Sequence, residues 1–168
     1  MVDWRRVLPS TKAVRLLSEL LEYDQLVRTR RQPLTLIQKQ RRQAIASELH
    51  RWALERQRFQ GGGAEHRRDP RAEVRLRIQM LGGPRPVDLD ADSIAVGGVR
   101  VHVGFQPRVN DVLALRMTPL EEPAVELMAR VVWYDPVRSK AGLAFSNMSD
   151  DARAFVERVV YSGLIKPR

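Results

Sequence analysis

From Thr11 to about Gln32 apolar residues recur at three- and four-residue steps, at Val14, Leu17, Leu20, Leu21 and Val27, which predicts a helix with Ser10 as its N-cap. Pro33 interrupts the pattern. A second periodic stretch carries Leu36, Ile37, Ile45, Leu49, Trp52 and Phe59 through good helix formers, so the simplest reading is an α-helical hairpin. The polar face of the second helix holds Lys39, Arg41, Arg42, Arg51, Arg56 and Arg58, expected as a solvated basic flank. Two helices of this size bury little, so they must pack on the following domain, on each other in an oligomer, or on a partner protein.

Gly61-Gly62-Gly63 ends the second helix and supplies a flexible joint. Beyond it the period changes to two. Val74, Leu76, Ile78 and Met80 alternate with Glu73, Arg75, Arg77 and Gln79, the signature of a half-buried strand. The alternation returns at Val99, Val101 and Val103, at Leu113, Leu115 and Met117, at Val125 through Trp133, and at Ala141, Leu143 and Phe145. Turn-rich segments such as Gly82-Gly83-Pro84 and Tyr134-Asp135-Pro136 separate these five or six short strands, which predicts a meandering antiparallel barrel or sandwich. A last helix follows, capped by Ser149 or Asp150, with Phe155, Val156, Val159 and Val160 as its apolar stripe. The chain therefore reads as a mainly β domain with a C-terminal helix, preceded by an N-terminal helical hairpin. Its expected divisions are residues 1–60, a joint at 61–66, and the β domain at 67–162.

The 168 residues include 29 Lys+Arg, 20 Asp+Glu and no cysteine. Residues 1–63 hold 13 basic and 6 acidic side chains against 16 and 14 in the remainder, so the excess positive charge sits in the N-terminal third. Such asymmetry suits an anionic partner, although only four of the basic residues are lysines, and base composition of the genome also produces that bias. No apolar run approaches the ~20 residues that cross a bilayer, and MVDWRR lacks the apolar stretch of a signal peptide, so a cytoplasmic protein without a membrane span is expected.

Enzyme chemistry finds no footing. There is no cysteine nucleophile, His50, His66 and His102 lack metal-ligand spacing, and no G-x-S-x-G, Walker loop or Rossmann glycine fingerprint occurs. Asp88, Asp90 and Asp92 alternate as hard-cation ligands can, but Ser93 and Val99 stand where an EF-hand needs Gly and Glu, and a solvated acidic loop is the preferred reading. No enzyme, cofactor or metal site is expected.

The order of features after the joint is more specific. His66-Arg67-Arg68-Asp69-Pro70-Arg71 leads into a strand, a Gly97-Gly98 strand follows, then Ala129-Arg130-Val131-Val132-Trp133, Ala141-Gly142-Leu143-Ala144-Phe145 and a helix. Over residues 64 to 161 this resembles a PilZ domain. The resemblance implies a small antiparallel β-barrel with a C-terminal helix that binds cyclic di-GMP and passes the signal to a partner or fused domain. It makes Arg67, Arg68 and Arg71 ligand candidates, since a guanidinium fork matches both a phosphate and the O6/N7 edge of guanine. The family's second motif, D/N-x-S-x-x-G, is degenerate here. With its glycine at Gly98, Ser93 occupies the Asp/Asn position and Ala95 the serine position. Losing both contacts costs about 2–4.5 kcal/mol of ligand affinity, part of which the Ser93 hydroxyl can recover, or Asp92 if a bulge swings it in. Ser93 and Gly98 complete the candidate set. Trp133, in phase with Val131 and Ala129, is expected in the core or at a barrel end, and Leu143 and Phe145 in the core.

Three functional readings follow. The first is a non-enzymatic signalling adaptor that receives cyclic di-GMP, with output through the N-terminal helices. The second is a nucleotide-independent scaffold that holds an unknown protein partner or self-associates through residues 1–60. The third, for which no recognisable binding motif accompanies the charge, is a nucleic-acid-binding protein working through Lys39, Arg41, Arg42 and Arg51.

Overall fold

A computed structural model describes residues 11–60, 67–119 and 122–165, without the side chains of Phe59 and Gln60. The expected Ser10 cap, the glycine joint and the Phe59 side chain lie outside the described residues. The elements are α1 (Thr11–Arg30), α2 (Leu36–Gln60), β1 (Arg77–Leu81), β2 (Val87–Ala95), β3 (Gly98–His102), β4 (Val112–Thr118), β5 (Val125–Asp135), β6 (Lys140–Ser146) and α3 (Asp150–Ile165). They form two compact units, Met1–Pro70 with Glu157–Arg168, and Arg71–Val156.

In the helical unit, α1 ends where Arg31 takes a left-handed conformation (φ 51°) and its N–H reaches the Val27 carbonyl. Thr35 and Gln38 then form a reciprocal capping box that starts α2: the Thr35 N–H donates to Gln38 Oε1 at 2.9 Å and the Gln38 N–H to Thr35 Oγ1 at 3.3 Å. The buried stripe of α1 is Ala13, Leu16, Leu17, Leu20 and Asp24, and that of α2 is Ile45, Ala46, Leu49 and Ala53. Val14, Leu36 and Ile37, expected to be apolar contacts, are exposed.

The basic flank of α2 also departs from expectation, because Arg42 points inward. Its Nε and Nη2 donate to the two Asp24 oxygens at 2.6 and 3.2 Å, and its Nη1 to Glu157 at 2.8 Å. Arg158 Nη1 adds a bond to Asp24 at 3.0 Å, completing a buried, neutral quartet that ties α1, α2 and the middle of α3. Burial alone lowers the Arg42 pKa, but the hydrogen bonds and charges of Asp24 and Glu157 outweigh it and raise it above the ordinary guanidinium value. Arg41 is held by Glu19, and Arg56 lies 5.4 Å from the Trp52 ring centroid. Two of the expected solvated cations are thus engaged with carboxylates, Arg42 with the buried Asp24 and Glu157 and Arg41 with Glu19 in an exposed pair.

In the other unit, six antiparallel strands close into a barrel in the order β1-β2-β3-β6-β5-β4. Ile78, Ile94, Val101, Leu115, Met117 and Val131 are fully buried inside it. Leu143 is buried as expected, whereas Phe145 is only half-buried. The α3 helix begins at Ser149, whose Oγ accepts from the Ala152 N–H at 3.1 Å, and Phe155 and Val156 are buried in this unit. The segment read as an acidic loop is strand β2 instead. Its buried residues Leu89 and Ile94 pair with Ile78 of β1 and Val99 of β3, and Asp88 and Asp90 take the exposed positions.

Candidate functional site

Two bulges build one face of the barrel. On β2 the register slips between Ala91 and Ser93: Ala91 pairs with Val101 and Ser93 with Arg100, so Asp92 is the additional residue. On β5 it slips between Val131 and Trp133, with Val131 opposite Leu143 and Trp133 opposite Gly142. Val131 and Leu143 are buried, so the extra residue turns Trp133 outward. Trp133 is accordingly 40% exposed rather than in the core. Arg100 pairs with Gly142 on its other side, and the outward row runs Ser93, Arg100, Gly142, Trp133 across β2, β3, β6 and β5.

The electrostatics of this face centre on Asp92. Arg100 Nε approaches its Oδ2 at 2.7 Å, an ion pair whose angle is not that of a hydrogen bond, and Lys140 Nζ donates to the same oxygen at 3.1 Å. Burial pushes the Asp92 carboxyl up. The Lys140 hydrogen bond and the charges of Arg100 and Lys140 outweigh that and hold it below its ordinary value. Beside it, Ser93 is 5% exposed and its Oγ has no hydrogen-bond partner among the described residues. A hydroxyl buried without a partner loses about 1–3 kcal/mol of hydration free energy, which a ligand donor or acceptor would restore.

The remaining candidates are placed by the backbone. Ala72 and Ile94 exchange both backbone hydrogen bonds, at 2.8 and 2.9 Å, so the chain next to Arg71 is stitched to β2 beside Ser93. Antiparallel pairing then runs the exposed Arg71 past Ala95. Arg68 is exposed and Arg67 half-buried in the helical unit, where the Arg68 carbonyl meets His50 Nε2 at 3.1 Å. Gly98 has a structural reason of its own: a Cβ there would strike the Leu143 carbonyl oxygen on β6. Asp92 takes the bulged position that the sequence reading allowed for, whereas Arg100 and Lys140 were not among the candidates. Arg100 lies between Val99 and Val101, so strand alternation alone marks it as outward-facing. No group of three or more His, Asp or Glu among the described residues could hold a metal ion.

The family model of the PilZ domain matches residues 65–162, well over half of the chain. The chain belongs to the PilZ family. Its PilZ region takes in the arginine leader, the whole barrel and most of α3. Among solved structures, the Bacillus subtilis inhibitor of motility MotI/DgrA is similar at 21% identity and a TM-score of 0.49, over 58% of this chain and 50% of its own. The PilZ domain of Escherichia coli YcgR, solved with c-di-GMP, matches at 11% identity and a TM-score of 0.47, covering 58% of this chain and 91% of that domain. A tetrameric PilZ protein from Xanthomonas campestris matches at 12% identity and a TM-score of 0.39, over 92% of this chain and 77% of its own. The chain spans about half the length of the MotI/DgrA structure. No curated protein matches the sequence. No helix among the described residues is long and apolar enough to cross a membrane.

Proposed function

We propose that this PilZ protein is a non-enzymatic cyclic di-GMP receptor that signals through its helical unit. The observation that carries the reading is the Ala72–Ile94 bridge, which holds the Arg71 end of the arginine segment beside the strand bearing a buried Ser93 hydroxyl without a partner. Arg67 and Arg71 supply guanidinium forks for phosphate and guanine, Arg68 adds charge, and Ser93 offers a hydrogen bond. Gly98 acts through the backbone by letting β3 approach β6. The exposed Trp133 indole on the same barrel face is a surface on which a base can stack. Binding orders the arginine segment, and the helices carry the change to a protein partner.

A ligand that binds only the folded chain raises its unfolding temperature. The reading expects cyclic di-GMP to raise the melting temperature of the full chain and to leave that of an Arg67→Ala/Arg71→Ala variant unchanged. Equal shifts in both would remove the arginines from the site.

Ala95 at the serine position of the motif favours a second reading, a nucleotide-independent scaffold. Leu36 and Ile37, 71% and 78% exposed at the start of α2, suit that role as contacts for a partner or a second copy. It expects no thermal shift. A nucleic-acid role is weaker, since Arg41 and Arg42 are engaged by Glu19, Asp24 and Glu157.

A further inference from the structure

We propose that Asp92 supplies the carboxylate missing from the Ser93–Gly98 motif and accepts hydrogen bonds from the amide edge of a guanine in the bound dinucleotide. This rests on the cyclic di-GMP reading above and names the residue that sets its base selectivity.

In an unbroken strand residues 92 and 93 point to opposite faces. Here Ala91 pairs with Val101 and Ile94 with Val99, both partners buried, so the two residues between them share the single outward position opposite Arg100. The bulge therefore sets a carboxylate beside Ser93, one residue before the place where the motif would carry it. The amide edge of guanine presents two donors, N1–H and the 2-amino group, and an ionised carboxylate is an acceptor-only group that complements them. Arg100 and Lys140 both approach Oδ2, which fixes the side chain and keeps it charged. Oδ1 is the atom assigned to the incoming donors. The unsatisfied Ser93 Oγ next to it gives the base a second polar contact.

The competing role for Asp92 is purely electrostatic, and it predicts the opposite sign. Without its carboxylate, Arg100 and Lys140 are two unmasked cations that attract the phosphates of any dinucleotide. The test is calorimetric titration of the full chain, Asp92→Ala and Asp92→Asn with cyclic di-GMP and with cyclic di-IMP, which has the same phosphates and sugars but no 2-amino group. The proposal predicts that the unaltered chain prefers cyclic di-GMP. Asp92→Ala should weaken cyclic di-GMP about 10- to 150-fold and abolish the preference, while Asp92→Asn, which keeps a neutral acceptor oxygen, loses less. Should Asp92→Ala not fold, the loss of preference is read in Asp92→Leu, which also lacks an acceptor. Unchanged or tighter cyclic di-GMP binding in the variants, or an equal loss for both ligands, overturns the assignment and leaves the receptor reading standing. Failure of the unaltered chain to bind either ligand overturns the receptor reading and this assignment with it.

Discussion

Trp133 and Gly142 are cross-strand partners on β5 and β6, and the indole fills the space that any side chain at position 142 would need. The glycine is thus explained by an aromatic neighbour rather than by backbone conformation. Gly98 is explained differently, since the obstacle there is the main-chain carbonyl of Leu143, which cannot swing aside.

These two obstacles predict an order of damage. Gly98→Ala must push β3 away from β6 and should cost about 1–3 kcal/mol, the range for overpacking. Gly142→Ala displaces a half-exposed side chain and should cost less, while shifting the indole N–H resonance of Trp133. Denaturant unfolding and an NMR spectrum of each variant check both statements. Equal costs, or an unmoved Trp133 resonance, would contradict the contact.

The quartet Asp24, Arg42, Glu157 and Arg158 predicts severe effects from single truncations. Asp24→Ala removes three of its hydrogen bonds and leaves Arg42 and Arg158 under-compensated in the interior. The expected loss is about 3–5 kcal/mol, the range for breaking a buried ion pair. Glu19→Ala, which removes an exposed pair with Arg41, should cost at most about 1 kcal/mol. Equilibrium unfolding of the two variants measures the contrast.

Acid should weaken the barrel through Asp92. Its folded-state value lies below the ordinary 3.8, so the unfolded chain takes up this proton first as pH falls. The stabilisation is therefore complete above the unfolded value and disappears as pH drops through the folded one. In Asp92→Asn the acid limb of the stability profile should be shallower than in the unaltered chain, with little difference in slope near neutrality. Identical acid limbs would show that the Arg100 and Lys140 contacts do not persist in solution.

The α2 capping box predicts a smaller effect. Thr35→Ala loses the side-chain acceptor for the Gln38 N–H and should destabilise the helical unit by about 1 kcal/mol. Thr35→Ser, which keeps the hydroxyl, should restore most of that. Circular dichroism melts of the two variants make the comparison.

Most of the barrel was legible because its strands alternate strongly: Val99 and Val101, Leu115 and Met117, and Leu127, Ala129 and Val131 all face inward where the period of two puts them. β2 was missed although Leu89 and Ile94 are buried, because aspartate is a poor strand former and its run of acidic positions reads as a loop. Trp133 was misplaced for a different reason. A bulge shifts the phase by one residue without any local change in composition, and the same invisible slip sets Asp92 beside Ser93. In the hairpin, the polar members of the buried stripes had a signal that went unused. Asp24 continues Leu17 and Leu20 at helical spacing, and Arg42 precedes Ile45 and Leu49, so opposite charges fall on two apolar faces that pack together.

The most direct test of the receptor account is a calorimetric titration of the full chain with cyclic di-GMP, run beside the Arg67→Ala/Arg71→Ala variant. The account predicts saturable heat that disappears in the variant while its far-UV circular dichroism is unchanged. Absence of saturable heat in the unaltered chain, or undiminished binding in the variant, would contradict it.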